Sequence, residues 1–215
     1  MRKINLFIKR TIDIIGATLL LLILIIIPVF IVIPIAIRLT SKGPAIFTQE
    51  RTGKNGKTFK IYKFRTMLIP EESLDENGEM MLPEQRITKV GRVLRKTSLD
   101  ELAQIFNILN GTMSIVGPRP TLPYQMERYD ERQMGRHAMC PGITGWAQVN
   151  GRNDLTWGEK IEYDLEYIEK FNIWFDIKIL FKTVAVVLKM DGIAFTKNDS
   201  INAKETQPEK ETVNK

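Results

Sequence analysis

Cysteine and histidine are almost absent from this 215-residue chain, which has one of each, Cys140 and His137. A single thiol cannot form an internal disulfide framework, so the composition fits a reducing compartment. One Cys and one His also cannot build a closed zinc site. Two glycine signatures of nucleotide binding are missing as well: there is no phosphate-loop lysine motif and no strand-linked Gly-x-Gly-x-x-Gly.

Charge is absent over one long run. No charged side chain occurs from Ile14 to Ile37, where Ile, Leu and Val dominate. At ~1.5 Å per helical residue the run is long enough to cross a ~30 Å hydrocarbon core, and too long for the apolar region of a cleaved signal peptide. Pro28 interrupts it, removing a helical hydrogen bond and crowding the preceding turn. Arg2, Lys3, Lys9 and Arg10 flank one end and Arg38 and Lys42 the other, and basic flanks at both ends favour keeping both on the cytoplasmic side. The sequence therefore predicts a helix-break-helix that re-enters the leaflet it left. Lys9, Arg10 and Asp13 fall at headgroup level, where Arg10 and Asp13 can pair at i,i+3 while the basic stems snorkel.

The net charge of +6 is uneven: Met1 to Arg65 holds twelve Lys/Arg against Asp13 and Glu50, a balance of +10, so the remainder carries −4. Basic charge gathered around an apolar segment suits anionic lipid headgroups or a diphosphate beside them, and does not suit a nucleic-acid stripe spread over a domain.

Beyond the apolar run, 215 residues provide one globular domain with extras. Ile46–Gln49 and Thr58–Tyr62 read as strands joined through Gly53-Lys54-Asn55-Gly56, a hairpin signal that leaves Lys60, Lys63 and Arg65 as a basic ribbon, either a solvated face or, beside a membrane segment, a contact for lipid headgroups. Pro70 to Pro83 is an acidic, turn-rich excursion. Helical spacing returns from Ser98 to Asn110 and ends at Gly111. Another helix follows around Ile161, Leu165 and Ile168. After it, Asp176 to Asp191 is amphipathic, with Ile177, Leu180, Phe181, Val184, Val187 and Leu188 expected to face the core, although the lead-in Trp174 and Phe175 would also suit an interfacial belt. The predicted class is α+β, mainly helical: a Pro-broken membrane helix with basic flanks over 1–40, a catalytic domain with a small hairpin over 41–195, and a disordered polar tail over 196–215.

Asp100 and Glu101 are the candidate chemistry. Adjacent carboxylates open the Ser98 helix just after Arg95 and Lys96, and Ser98 with Glu101 also forms a capping-box pattern, which alone would explain them structurally. Two turns present further arginines. Pro118 and Pro120 restrict the backbone around Arg119, which suits a phosphate, and Asn150-Gly151-Arg152-Asn153 presents Arg152.

Taken together and in order, Lys9-Arg10-x-x-Asp13, the Pro-broken helix, Lys63-Phe64-Arg65-Thr66-Met67, Ser98-Leu99-Asp100-Glu101-Leu102, Ser114-Ile115-Val116-Gly117-Pro118-Arg119-Pro120 and the string from Pro141 to Arg152 resemble the monotopic phosphoglycosyl transferases of the bacterial sugar transferase family, in what looks like the small form. The resemblance implies transfer of a sugar 1-phosphate from a UDP-sugar to polyprenol (undecaprenyl) phosphate, with release of UMP, at the cytoplasmic face of the bacterial inner membrane. It implies Asp100 as the nucleophile that forms a phosphosugar-aspartate, Glu101 with Asp100 at a Mg²⁺ site, and Arg95, Arg119 and Arg152 on substrate phosphates and uridine. The string Gly145 to Arg152 is closer to members using N-acetylated sugars than to the galactose or glucose group. Two positions depart from the family pattern: Cys140 stands where many members carry Arg, and Ile27 offers no hydroxyl before Pro28. A non-enzymatic lipid-binding scaffold would leave Asp100, Arg119 and Arg152 without a shared purpose. A glycosyltransferase moving sugar without its phosphate would often show an Asp-x-Asp motif, which this chain lacks.

Overall fold

A 63° bend separates helix α1 (Arg2–Ile26) from α2 (Val29–Thr40) at Ile27-Pro28, as the proline predicts. Neither helix alone is long and apolar enough to cross a membrane, but the bent pair together passes by length and composition. In the computed structural model, which describes residues 2–151 and 154–189, they are followed by β1 (Ile46–Thr52), β2 (Thr58–Phe64), α3 (Lys89–Lys96), α4 (Ile105–Leu109), β3 (Ser114–Val116), α5 (Glu131–Met134), β4 (Gly142–Thr144), α6 (Trp146–Asn150), α7 (Trp157–Lys170) and α8 (Ile173–Lys189). The tail expected over 196–215 lies outside the described residues.

The architecture is mostly helical with very little sheet. β1 and β2 form the expected antiparallel hairpin, with Ile46 opposite Phe64 and Thr52 opposite Thr58. Asn55 (φ 57°) and Gly56 (φ 74°) make the turn, residue types that tolerate the left-handed region. A second sheet pairs β3 with β4 in parallel; the stretch Pro141 to Trp146 reads as a turn-strand in the sequence, as β4 bears out, but β3, three residues too short to show alternation, and the pairing were not predicted. Gly117, which follows β3, lets the two backbones approach, since a Cβ there would lie 2.4 Å from the Cys140 carbonyl.

Three apolar clusters hold these elements. Ile33 and Ile37 of α2 pack with Ala45, Phe64 and Leu94, and Ala17 of α1 packs with Ile61, Ile105, Ile108 and Met113. Val116, Met139, Trp146, Tyr167 and Ile179 form the third, under α7 and α8. Each large aliphatic side chain buried this way contributes roughly 1.5–3 kcal/mol. The rest of the bent pair presents Ile, Leu, Val and Phe to the outside, up to 81% exposure at Ile26 and 82% at Leu39.

Lys9, Arg10 and Asp13 do not behave as a headgroup cluster. Lys9 and Asp13 are buried in protein. Lys9 Nζ pairs with Asp176 at 2.7 Å, and the Tyr167 hydroxyl donates to the other oxygen of Asp176. Asp13 accepts from Ser114 Oγ (2.8 Å) and the Ile115 amide (3.0 Å), so the expected Arg10–Asp13 pair is replaced. Arg10 instead donates to the Ile108 and Leu109 carbonyls at the end of α4 (2.6 and 3.0 Å). A guanidinium placed there satisfies carbonyls that have no intrahelical donor.

α8 also corrects the expectation for its apolar face. Phe181 and Val184 are exposed, whereas Ile179 is fully buried. Lys178 and Lys182 lie over the Trp146 ring, with their Nζ atoms 5.3 and 4.5 Å from its centroid.

Candidate functional site

The carboxylate pair sits on a tight 3-10 turn, Leu99–Gln104, that leads into α4. Helix α3 begins at an N-cap where Thr88 Oγ1 accepts from the Gly91 amide (2.8 Å), and Gly91 lets it pass so close to the end of β2 that a Cβ would meet the Thr66 carbonyl. The chain then reverses at Ser98, which adopts a left-handed conformation (φ 56°, ψ 17°) costing about 1–2 kcal/mol for a residue with a Cβ. With Ser98 in that conformation no side-chain cap forms, and the capping box read from the sequence is not made.

Glu101 goes to Lys63 instead. Lys63 Nζ donates to its Oε1 at 2.8 Å, and an Arg119 guanidinium nitrogen stands 3.6 Å from the same oxygen. Burial alone would raise the Glu101 carboxyl, but the two cations outweigh it and hold it down to about 2, so it is an anion throughout the neutral range. Asp100 goes the other way: burial raises its carboxyl above the ordinary value, helped by the Glu101 charge and opposed by Lys63 and Arg95. Adjacent carboxylates with proton affinities driven apart are suited to different roles.

The flanking elements are tied to this turn. Asn107, fully buried on α4, accepts from the Tyr62 amide and donates to the Lys60 carbonyl, docking the turn on β2. Arg95 donates from Nε to Thr66 Oγ1 at 2.9 Å. The loop carrying Arg119 is pinned by the Gly117 amide on the Thr144 carbonyl and the Gly142 amide on the Pro118 carbonyl, both at 2.9 Å. The Arg119 side chain remains half exposed over a cleft of about 260 Å³ lined by Arg51, Ile61, Lys63, Glu101 and Gln104.

Asp100, Glu101, Arg95 and Arg119 are thus set around one strand-helix junction, while Arg152 lies outside the described residues. Of the basic ribbon only Lys60 stays exposed: Lys63 serves Glu101, and Arg65 is buried, donating to the carbonyls of Ser41, Lys42 and Gly43. Sequence reasoning missed Arg51 and Gln104, whose only signal was their register across the hairpin and the helical turn. Among the described residues no three His, Cys, Asp or Glu side chains gather as a preformed metal cage. Mg²⁺ needs no such cage, because it takes one or two carboxylates and completes its shell with water and substrate phosphate oxygens, so the oxygen donors of Asp100 and Glu101 fit it.

A carboxylate dyad beside clustered cations, on a small α+β scaffold carrying a bent apolar helix pair, has the charge and donor groups to accept a phosphorylated molecule. The comparison with known proteins makes the class specific: residues 4–190 match the bacterial sugar transferase family, and the chain belongs to it. It is 46% identical over 160 residues to an uncharacterized sugar transferase of Bacillus subtilis, covering 74% of this chain and 78% of that one. It is 48% identical over 189 residues to the UDP-glucose:undecaprenyl-phosphate glucose-1-phosphate transferase of Escherichia coli, covering 84% of this chain and 40% of that one. With the undecaprenyl-phosphate galactose phosphotransferase of Salmonella typhimurium it shares 40% identity over 206 residues, 86% of this chain and 41% of the relative. The chain therefore spans about two fifths of the length of these last two relatives. Their names, which specify glucose and galactose, do not carry the lean toward N-acetylated sugars.

Proposed function

We propose that this protein transfers a sugar 1-phosphate from a UDP-sugar to polyprenol phosphate, releasing UMP, by way of a phosphosugar-aspartate on Asp100. The observation that carries this reading is the division of labour in the dyad: Glu101 is held as an anion by Lys63 and Arg119, while Asp100, the more basic carboxyl, carries no such short ion pair among the described residues. An Asp100 carboxylate oxygen attacks the sugar-bearing phosphorus, the bond from that phosphorus to the bridging oxygen breaks, and UMP leaves with the electron pair. An oxygen of polyprenol phosphate then attacks the same phosphorus and returns Asp100 to its free form. That acceptor is already ionised at neutral pH and needs little help from a general base. Arg95 and Arg119 neutralise phosphate charge, and Arg152 is assigned the same duty by its place in the sequence. Asp100 and Glu101 are the residues that would hold Mg²⁺, which when bound would supply charge neutralisation on the diphosphate.

The same reading sets the protein on the cytoplasmic face of the bacterial inner membrane as a monotopic protein, with α1 and α2 re-entering one leaflet. It is supported by the 63° bend, the exposed apolar side chains, and the packing of both Ala17 of α1 and Ile37 of α2 against one domain. The deciding experiment incubates the full chain with Mg²⁺ and a panel of UDP-sugars, without polyprenol phosphate. Stoichiometric UMP and a protein heavier by one sugar phosphate are expected. Turnover with polyprenol phosphate in the absence of any adduct would overturn the covalent step.

A further inference from the structure

Arg51 is a cation on the wall of the cleft that has no role so far. It lies on the face of the hairpin that also carries Ile61 and Lys63, since Arg51 stands opposite Phe59, Gln49 opposite Ile61 and Phe47 opposite Lys63. The side chain lines the cleft, a guanidinium nitrogen donates to Gln49 Oε1 at 2.7 Å, and its Nε is buried without a hydrogen-bond partner among the described residues. Among the described residues it makes no ion pair. Its charge is uncomfortable there: burial, and then the facing Arg119, pull it down to about 10. A planar fork of donors, mostly desolvated and lacking a carboxylate, is suited to an anion that the folded chain does not itself provide.

Charge and position indicate which anion. Arg51, Lys63 and Arg119 against Glu101 leave two positive charges in excess on the cleft wall, which matches the two negative charges of a nucleoside diphosphate ester. Arg51 is also five positions along β1 from Ile46, where the chain leaves the apolar helix pair, or roughly 17 Å at the ~3.3 Å rise of a strand. A lipid-borne phosphate enters from the helix-pair end, whereas a soluble nucleotide reaches the far end of the hairpin directly. We propose that Arg51 binds the diphosphate of the UDP-sugar donor, opposite Arg119, and sets donor affinity without taking part in acceptor binding. This rests on the transfer reaction proposed above.

The test uses the full chain in nanodiscs with excess Mg²⁺, comparing wild type, Arg51→Met and Arg51→Lys, each checked by thermal melting. Loss of a charge-assisted, bidentate-capable donor should raise the KM for UDP-sugar and the inhibition constant of UDP together, by roughly 10- to 100-fold in Arg51→Met and by less in Arg51→Lys. The KM for polyprenol phosphate should stay within about twofold, a split that a merely structural arginine would not produce. If donor KM and UDP inhibition are unchanged in a folded variant of either kind, or if acceptor KM moves in their place, the assignment is overturned. Should wild type release no UMP from any UDP-sugar, the transfer reading itself fails. Calorimetric titration of UDP into wild type and Arg51→Lys would then still decide whether Arg51 holds the diphosphate.

Discussion

Lys63 of β2 and Glu101 of the 3-10 turn, 38 positions apart in sequence, meet at 2.8 Å with each side chain 20% exposed. The pair fixes the dyad against the hairpin and keeps Glu101 ionised. Lys63→Met should leave the largely buried carboxylate with only the longer Arg119 contact, costing ~1–3 kcal/mol in denaturant unfolding. The sign in pH follows from the depressed value: in the wild type this contribution is complete above the ordinary glutamate range of about 4.5 and is lost as pH falls toward about 2. The Lys63→Met protein should show a shallower loss over the same acid range. An identical acid limb in both proteins would remove Lys63 as the cause.

Asp100→Asn tests the nucleophile. It should abolish adduct formation and UMP release while shifting stability by less than ~1 kcal/mol, because among the described residues Asp100 carries no short ion pair and its buried charge is already disfavoured. Intact mass and thermal melting on the same sample separate the two readouts. A folded Asp100→Asn protein turning over at a wild-type rate would end the assignment.

The Lys9–Asp176 pair predicts strong coupling. Each side chain is at most one tenth exposed, so Lys9→Met or Asp176→Asn alone should cost ~3–5 kcal/mol by stranding its partner. The double variant should cost clearly less than the sum. Unfolding of all four proteins in one detergent measures the coupling.

His137 predicts a separate acid sensitivity. Burial, with help from the neighbouring Arg136, lowers its ring to about 4, so it is neutral in the folded protein and must lose that environment to protonate. Its contribution is therefore present above about 6.5 and is lost as pH falls toward 4, on the order of 2 kcal/mol after allowing for partial access of water. Asp164, raised by burial to about 6, works in the opposite direction in part of that window. The measurement is accordingly the difference between wild type and His137→Gln from pH 7.5 to 4.5. Parallel pH profiles would exclude His137.

Pro28→Leu should relax the bend, because it restores a backbone donor and removes the ring's clash with the preceding turn. Cysteine-accessibility labelling near Met1 is expected to report the same side as the domain for the wild type. A mixture of sides is expected for the variant. Wild-type labelling on the opposite side would refute re-entry.

Local signals were legible in the sequence where backbone chemistry decides the outcome. Pro28 marked the break, Asn55-Gly56 the hairpin turn, and Gly111, at φ +85°, the end of α4. Tertiary choices were not legible. Arg10 and Asp13 have the spacing to pair with each other, yet each takes partners about a hundred positions away, because buried carbonyls and a buried strand edge need charge-assisted partners more than the two side chains need one another. Ser98 and Glu101 fit a capping pattern, but a left-handed turn spends the serine on reversing the chain. On α8 the apolar residues cover more than one face, so periodicity could not choose between Phe181 and Ile179. In the site, the Asp-Glu pair and the proline-flanked Arg119 could be read directly. Lys63 needed a family resemblance to draw attention to it, and Arg51 became visible only once the fold brought it to the cleft that Arg119 also lines.

The bonds made by the first helix decide what could be cut away. Removing everything before β1 would take away the guanidinium that closes α4, the carboxylate that receives Ser114 ahead of the Arg119 loop, and the ammonium that neutralises Asp176. A shortened protein would keep every residue of the dyad and its cations, but would lose the struts that hold their two supporting segments at a fixed spacing. Solubilising this enzyme by deleting its greasy end should therefore yield an inactive product, and detergent or lipid would have to stand in for the bilayer while the whole chain is kept.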